Sequence, residues 1–93
     1  MDNSYRPYVM VTDHEDETAT MTISVADEDY KFDVWKEGSS AMVEFQECLS
    51  WRGQLRVSDP DETIYKELMV SDKMTEFLNE YDCDSVRRAD PQP

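Results

Sequence analysis

Residues 19–35 have the sequence ATMTISVADEDYKFDVW, and this stretch decides the fold class. Apolar and polar residues alternate over 19–25 and again over 30–35, which is the period of an extended strand with one buried face. Residues 26–29, ADED, suit the turn between two such strands. The stretch therefore predicts an antiparallel hairpin. One face would carry Ala19, Met21, Ile23, Val25, Tyr30, Phe32 and Val34, and the other Thr20, Thr22, Ser24, Lys31, Asp33 and Trp35.

Shorter extended segments flank this hairpin. Residues 5–12, YRPYVMVT, are rich in β-branched and aromatic types, and Pro7 would confine the strand to an edge or fix its start. The segment 13–18, DHEDET, has no apolar residue and predicts a solvated loop. Further along the chain, QLRV at 54–57 and SVRRA at 85–89 predict two more short extended segments.

The stretch 40–51, SAMVEFQECLSW, fits two structures. In a helix, its apolar residues share one face, and Gly53 lies where the helix would stop. In a strand, alternate apolar positions share a face that only Glu47 interrupts. The sequence KEGS at 36–39 suits a hairpin turn and favours a strand over 40–46, although helix and strand both stay open. The helical face would hold Ala41, Met42, Phe45, Cys48 and Leu49, and the strand face Ala41, Val43, Phe45, Leu49 and Trp51.

A helix start follows at residue 58 and has a clear physical basis. Asp59 can accept a hydrogen bond from a first-turn amide, and Pro60 suits the first helical position. Glu62 then completes a capping box and favours the helix dipole. The apolar face of this helix would carry Ile64, Tyr65, Leu68 and Met69.

One helix running on to Tyr81 would be apolar on opposite sides. At 3.6 residues per turn, the later apolar residues point about 200° away from the earlier ones. A break at Ser71, which can cap a second helix over 72–80, turns both apolar faces toward one core. The second apolar face would carry Met74, Phe77, Leu78 and Tyr81.

Together these segments predict a single small α+β domain over residues 1–93. An antiparallel β-sheet of three to five strands, mostly N-terminal, would be packed on one face by two C-terminal helices. Strands that precede helices argue against a parallel, doubly wound sheet. Residues 90–93, DPQP, are expected to form a frayed C-terminal tail.

Charge is the strongest compositional signal. The chain has 22 acidic and nine basic residues, a formal net charge of −13, and the acids are spread along its whole length. Such a surface repels itself in dilute buffer, and salt screens that repulsion. Nucleic acid is disfavoured as a partner because phosphate contacts need clustered Lys and Arg. The dispersed acids are therefore interpreted as serving hydration and solubility at high salt.

The cysteines and the N-terminus favour a reduced, cytoplasmic setting. Cys48 and Cys83 fit neither a disulfide scaffold nor a zinc pair, and Glu47 and Asp82 before them should disfavour the thiolates. No basic stretch followed by an apolar one is present in MDNSYRPY, and no apolar run approaches membrane-spanning length. The sequence therefore predicts neither a leader nor a membrane partner.

A search for reaction chemistry gives mainly exclusions. The only glycines are Gly38 and Gly53, which rules out glycine-rich phosphate loops and the nucleophile elbow. The pattern around the single histidine, His14, identifies neither a set of metal ligands nor a nucleophile that His14 could activate. A calcium loop starting at Asp82 would need glycine at its sixth position, where Arg87 stands. No catalytic, cofactor-binding or metal-ligating residue is therefore predicted, and no cofactor.

One group of tryptophan and arginine residues stands out in this mostly acidic sequence. WRGQLR groups Trp51 with Arg52 and Arg56, and Arg87 and Arg88 follow near the C-terminus. Trp and Arg are the residue types favoured at interface hot spots, so these five residues form the predicted interaction site. The alternative is that each arginine pairs with neighbouring acids and Trp51 packs in the core.

The run WRGQLRVSDPDETIYKELMVSDKMTEFLNEYD at 51–82, taken with the acidic composition, resembles a family of small uncharacterised acidic proteins from halophilic archaea. The resemblance implies a cytosolic protein working near saturating potassium chloride, and it supplies no activity. The expected function is a non-enzymatic interaction or regulatory module that binds a protein partner, a homodimer included. A small carboxylate-based hydrolase or lyase and a divalent-cation binder are the alternatives.

Overall fold

The computed structural model of the chain describes residues 8–25, 27–50, 52–56, 60 and 62–89, without the side chain of Arg56. Five strands come first, then two helices, then a sixth strand. This order confirms the predicted α+β class. The elements are β1 (Tyr8–Asp13), β2 (Thr18–Val25), β3 (Glu28–Glu37), β4 (Ser40–Ser50), β5 (Leu55–Arg56), α1 (Glu62–Met69), α2 (Asp72–Glu80) and β6 (Ser85–Arg88).

The strands form one sheet in the order β1-β2-β3-β4-β5, and β6 also pairs with β4. The first four strands are a continuous antiparallel meander, which confirms the predicted β2–β3 hairpin, with Met21 opposite Phe32. The sheet has one strand more than the three to five predicted, and this last strand, β6, runs parallel to β4. The helices α1 and α2 lie in the connection that precedes β6, and parallel pairing needs a crossover of this kind.

The core lies between one face of the sheet and the two helices. Met21, Ile23 and Phe32 are fully buried on the sheet side, as the alternation predicts. Leu68 of α1 and Met74 of α2 are fully buried on the helix side, which confirms both predicted helix faces. The other buried members of this cluster are Ala19, Val34, Ala41, Val43, Ile64, Tyr65 and Phe77.

The ambiguous stretch forms strand β4, so the helical alternative is wrong. The predicted face holds only as far as Phe45, which lies opposite Phe32, because a β-bulge at Gln46 interrupts the register. The extra residue moves Cys48 to the core face and leaves Leu49 43% exposed on the other face. Leu49 was therefore assigned to the wrong face, and Trp51 lies outside the described residues.

The predicted helix break is confirmed. Ser71 caps α2, since its Oγ accepts a hydrogen bond from the Met74 backbone N–H at 3.2 Å. The same hydroxyl donates to the carbonyl oxygen of Leu68 at 2.7 Å, so one side chain serves the end of α1 and the start of α2. Asp59, which was predicted to cap α1, lies outside the described residues, and α1 begins at Glu62.

Replacing Ser71 with alanine should lower the free energy of unfolding by about 1 kcal/mol, the usual cost of losing a capping hydroxyl. Thermal melts should show a drop of about 4–8 °C for a domain of this size. Ser71→Thr is the matched control, because its hydroxyl can accept from the Met74 amide and donate to the Leu68 carbonyl. Equal losses in both variants would contradict the role assigned to the hydroxyl.

The loop between β1 and β2 lies next to a contact between β1 and the end of α2. The acidic loop is shorter than predicted, since Asp13 and Thr18 belong to the paired strands. At the start of this loop, the Tyr81 hydroxyl donates to the Asp13 carboxylate at 3.0 Å and ties the end of α2 to the end of β1. Partial burial and this hydrogen bond raise the pKa of Tyr81 to about 12, so the hydroxyl stays protonated at neutral pH.

Residues 5–7 of the predicted first strand and the predicted tail at 90–93 lie outside the described residues. Within the ranges that are described, neither helix is long and apolar enough to cross a membrane.

Candidate functional site

The face of the sheet opposite the helices is uncovered by any described element, and we call it the open face. Side chains on this face alternate with the core residues along each strand, and none of those on β2, β3 and β4 is buried. The open face is therefore a regular, solvent-accessible surface of the described residues. On these three strands it consists of Thr18, Thr20, Thr22, Ser24, Asp29, Lys31, Asp33, Trp35, Glu37, Ser40, Met42, Glu44, Glu47 and Leu49.

A row of three side chains crosses this face near one end of the sheet. Trp35 on β3 lies opposite Met42 on β4, and Met42 lies opposite Arg87 on β6. Directly opposed residues in a ladder have Cβ atoms about 4.5–5.5 Å apart and share a face. The register thus places an indole, a thioether and a guanidinium side by side, and we call them the Trp35–Arg87 row.

Within the row, the aromatic ring is anchored and the cation is not. Trp35 is partly buried, and its Nε1–H donates to Glu37 Oε1 at 3.3 Å. Arg87 is exposed and makes no ion pair or side-chain hydrogen bond with any described residue. In a chain with a net charge of −13, an arginine without a carboxylate partner is a cation available to another molecule.

Arg88, the neighbour of Arg87, points to the helix side of the sheet. Its guanidinium carbon lies 3.9 Å from the centre of the Tyr65 ring, and its Nη1 lies 3.3 Å from Glu62 Oε2. These contacts join β6 to α1. For Arg88 the structure therefore supports the ion-pairing alternative.

The two predicted arginine segments border the same edge of β4 at separate places. Arg56 pairs with Cys48, whereas Arg88 pairs with Val43, so about 15 Å of strand separates the two positions. Arg52 is exposed in the turn that follows β4 and makes no ion pair with a described residue. The described residues do not bring these segments together, and the interaction role of Trp51, which lies outside them, stays a prediction.

A shallow cavity of about 620 Å³ adjoins the Trp35–Arg87 row where β2 begins and β3 ends. Trp35 and Lys36 line it from β3, and Asp16 and Glu17 line it from the loop before β2. His14 also lines it, and its Nε2 lies 2.9 Å from Thr20 Oγ1. No group of three or more His, Cys, Asp or Glu side chains suited to a metal occurs within the described ranges.

Both cysteines are free thiols, and they differ in access. Cys48 is buried in the core, whereas Cys83 is partly buried beside the start of β6. Burial raises the pKa of the Cys83 thiol; the positive charge of Lys36 opposes the rise, and the carboxylates of Asp84, Glu17 and Asp82 add to it. The expected effect of Asp82 is therefore present at Cys83, and burial is the larger cause.

Cys83 should react with a disulfide reagent at pH 7.5 several-fold more slowly than free cysteine, because less of it is thiolate. Cys48 should react only when the protein unfolds. Absorbance of the released thiol measures both rates, and Cys83→Ser is the control that should abolish the folded-state signal. Rapid labelling of Cys48 under native conditions would contradict its burial in the core.

Trp35 was missed as a site residue, although a signal was present. The alternation over 30–35 already assigns this tryptophan to the polar face with Lys31 and Asp33, and Trp is a residue type enriched at interface hot spots. The pairing of Met42 with Arg87 had no such signal, because it depends on the parallel register of β6.

No protein-family model, no curated protein and no solved structure matches this chain. Its fold and surface define a small α+β domain with one helix-covered sheet face and one open face. The function is therefore inferred from the chemistry of the open face alone.

Proposed function

We propose that the protein is a non-enzymatic interaction module, adapted to high salt, that binds a protein partner through the open face at the Trp35–Arg87 row. The observation that carries the proposal is the row itself. Trp and Arg are the residue types most enriched among interface hot spots, and Met is also enriched at interfaces. Here all three lie side by side on an uncovered sheet.

The chemistry of the row defines the partner. Trp35 and Met42 offer apolar surface, so the partner should present an apolar side chain to them. Arg87 makes no ion pair with a described carboxylate, so the partner should supply a carboxylate that accepts both guanidinium hydrogen bonds. In molar salt, long-range attraction is screened, and short-range contacts of these kinds keep their strength.

High salt is part of the proposal because few ion pairs offset the negative charges of the described residues. Only two ion pairs occur among the described residues, Lys31–Glu47 at 3.6 Å and Arg88–Glu62 at 3.3 Å. On the open face, Asp33 lies directly opposite Glu44, and like charges in this position destabilise a sheet. Such a surface suits the salt-rich cytoplasm of a halophilic archaeon, where these repulsions are screened.

A carboxylate-based hydrolase or lyase is the second candidate, because the 620 Å³ cavity has several acids in its wall. Acid–base catalysis usually draws on carboxyl groups whose surroundings exclude water. Asp16 and Glu17 are exposed, and no polar or charged residue in the described part of the chain is buried. We therefore favour the interaction module, and elemental analysis of purified protein would test the related cation-binding alternative.

The test compares two pairs of substitutions in 2 M KCl. Tagged wild-type protein captures partners from extract of its own source, and mass spectrometry identifies those that are enriched. The dissociation constant of the best partner is then measured for each variant. Trp35→Ala and Arg87→Ala should each weaken binding about 30-fold, the effect of losing about 2 kcal/mol at a hot spot.

Arg52→Ala is the matched control for Arg87→Ala, since both arginines are exposed and lack an ion pair among the described residues. Trp51→Ala tests the site predicted from sequence in the same way. If Trp35→Ala and Arg87→Ala bind every partner as tightly as wild type while melting normally, the Trp35–Arg87 row is not the binding site. Loss of binding in Trp51→Ala and Arg52→Ala alone would return the site to the predicted segment.

A further inference from the structure

The outer edge of strand β1 has backbone groups with which no described strand pairs. The His14 N–H donates to the Thr18 carbonyl, which fixes the direction of the backbone hydrogen bonds along the β1–β2 hairpin. Counted back from His14, every second residue turns its backbone groups toward β2, whereas Val9 and Val11 turn theirs outward. Tyr8–Thr12 contains no proline and pairs with β2 without a bulge, so this edge is regular. An added strand can therefore exchange hydrogen bonds with Val9 and Val11.

A cavity adjoins each of these two residues on the helix side of the sheet. Val9 lies opposite Ile23, and Val11 lies opposite Met21. Both partners are core residues, so the side chains of all four share the helix-covered face. Val9 lines a cavity of about 460 Å³ at the turn between α1 and α2, and Val11 lines a smaller one of about 90 Å³ beside α2. Because directly opposed residues point to the same face, alternate side chains of an added strand would lie next to the two cavities.

Carboxylates outnumber cations in the walls of both cavities. Lys73 lines both cavities and is the only cation among the described residues that line either one. Glu67, Glu76 and Glu80 are exposed and make no ion pair with a described residue. The carboxylates are Glu67 and Asp72 at the first cavity and Asp13, Glu76 and Glu80 at the second. The helix side of this edge therefore attracts positive charge.

We propose that the β1 edge binds an extended segment of a partner protein in which two basic residues are separated by one other residue. The backbone of this segment adds a seventh strand to the sheet. In this mode of recognition, main-chain hydrogen bonds supply affinity and alternate side chains supply specificity. The two basic side chains lie opposite Val9 and Val11 and enter the cavities. The residue between them lies on the open face beside Met10, which is 51% exposed, so an apolar or β-branched residue suits that position.

Charge and hydrogen bonding together select this occupant. The chain has a net charge of −13, so it repels a second copy of itself and attracts a basic segment. Carboxylates beside the edge oppose an acidic strand, whereas basic side chains at alternate positions form charge-assisted hydrogen bonds with them. Main-chain hydrogen bonds add affinity that salt does not screen away. Strand β1 contains no residue of the Trp35–Arg87 row, so this surface is a second interaction site beyond the proposed one.

The first test compares two synthetic peptides by isothermal titration calorimetry in 2 M KCl. Both have seven residues, blocked ends and the same composition, which is valine and threonine with two arginines. One peptide has its arginines at the third and fifth positions, and the other has them at the third and fourth. The alternating peptide can send both arginines to the helix side, whereas the other can send only one. The alternating peptide should therefore bind at least about tenfold more tightly.

Variants of the protein test the two kinds of contact separately. Glu67→Gln with Glu76→Gln removes one carboxylate from each cavity and should weaken binding of the alternating peptide about tenfold. Asp33→Asn with Glu44→Gln is the matched control, because it makes the same change in charge on the open face. Val11→Pro removes an outward N–H and leaves the β1–β2 hydrogen bonds in place, so it should also weaken binding about tenfold.

Far-UV circular dichroism and a cooperative melt show that each variant folds. Equal binding of the two peptides, equal effects of the two double variants, or no binding up to millimolar peptide would overturn the proposal. Dimerisation without peptide that Val11→Pro abolishes would identify a second copy as the occupant and would overturn it as well. Trp35→Ala and Arg87→Ala should bind the alternating peptide as wild type does, so this surface and the proposed partner site can fail separately.

Discussion

Phe32→Ala should destabilise the protein by about 3–5 kcal/mol, the largest effect that we expect of a single substitution. Phe32 is completely buried at the centre of the sheet. Its ring meets Phe45 and Tyr65 edge-on, with centroids 5.5 Å and 5.4 Å away, so it joins β3 to β4 and to α1. Alanine would leave a cavity between the two layers and remove both aromatic contacts.

A domain of this size is stabilised by only about 5–15 kcal/mol in total, so the variant should lie near the limit of folding. Urea unfolding in 2 M KCl measures the loss, and the melting temperature should fall by roughly 15–30 °C. Leu55→Ala is the control, because this exposed side chain should change stability by less than about 0.5 kcal/mol. A loss below 1 kcal/mol for Phe32→Ala would mean that Phe32 is not packed as described.

The melting temperature of the wild type should rise steadily between low salt and about 2 M KCl. At 10 mM salt the Debye length is about 30 Å, more than twice the 13.3 Å radius of gyration, so all the charges of the folded molecule interact. Two charges 20 Å apart in water repel by only about 0.2 kcal/mol, but many pairs of excess carboxylates add to several kcal/mol. Near 1 M salt the Debye length is about 3 Å and this repulsion is gone.

The double variant Asp33→Asn with Glu44→Gln tests the cause of the salt effect. These side chains oppose each other across β3 and β4, and neither has a cation within ion-pair distance among the described residues. Removing both charges should raise the melting temperature at 10 mM salt and reduce its dependence on KCl. Differential scanning calorimetry across the salt series measures both effects. A flat wild-type curve would remove the support for adaptation to high salt.

The helix break illustrates what local pattern can predict. The angle between the two apolar faces excludes one straight helix, and Ser71 is the residue that can cap a new one. Both facts concern residues within a few positions of each other, so no distant contact was needed. The same is true of the β2–β3 hairpin, where strict alternation predicted that the face containing Phe32 would be buried.

The β4 strand illustrates where local pattern fails. Its apolar residues fit a helix and a strand because the bulge at Gln46 shifts the alternation by one residue. The bulge lets Phe45 face Phe32 while Cys48 also reaches the core. Nothing near Gln46 in the sequence indicates the extra residue, because the bulge is set by packing against β3 and the helices.

The candidate site likewise combines features that local sequence predicts with features that depend on the tertiary structure. That Trp35 belongs to a polar face, and that Arg87 and Arg88 stand on an extended segment, could be read from neighbouring residues. A strand sends adjacent side chains to opposite faces, so only one of the two arginines could join the open face. The register of β6 along β4 places Arg87, and not Arg88, on the open face.

Apart from β4, element types in this protein are thus properties of short segments, because alternation, helical periodicity and capping act between residues close in the chain. The excess of carboxylates is likewise a property of composition, and with it the expected response to salt. The bulge, the parallel direction of the last strand and the meeting of Trp35, Met42 and Arg87 arise only when whole faces are buried together. Burial of a shared core chooses one register among many that are locally equivalent, and that register sets which distant side chains become neighbours.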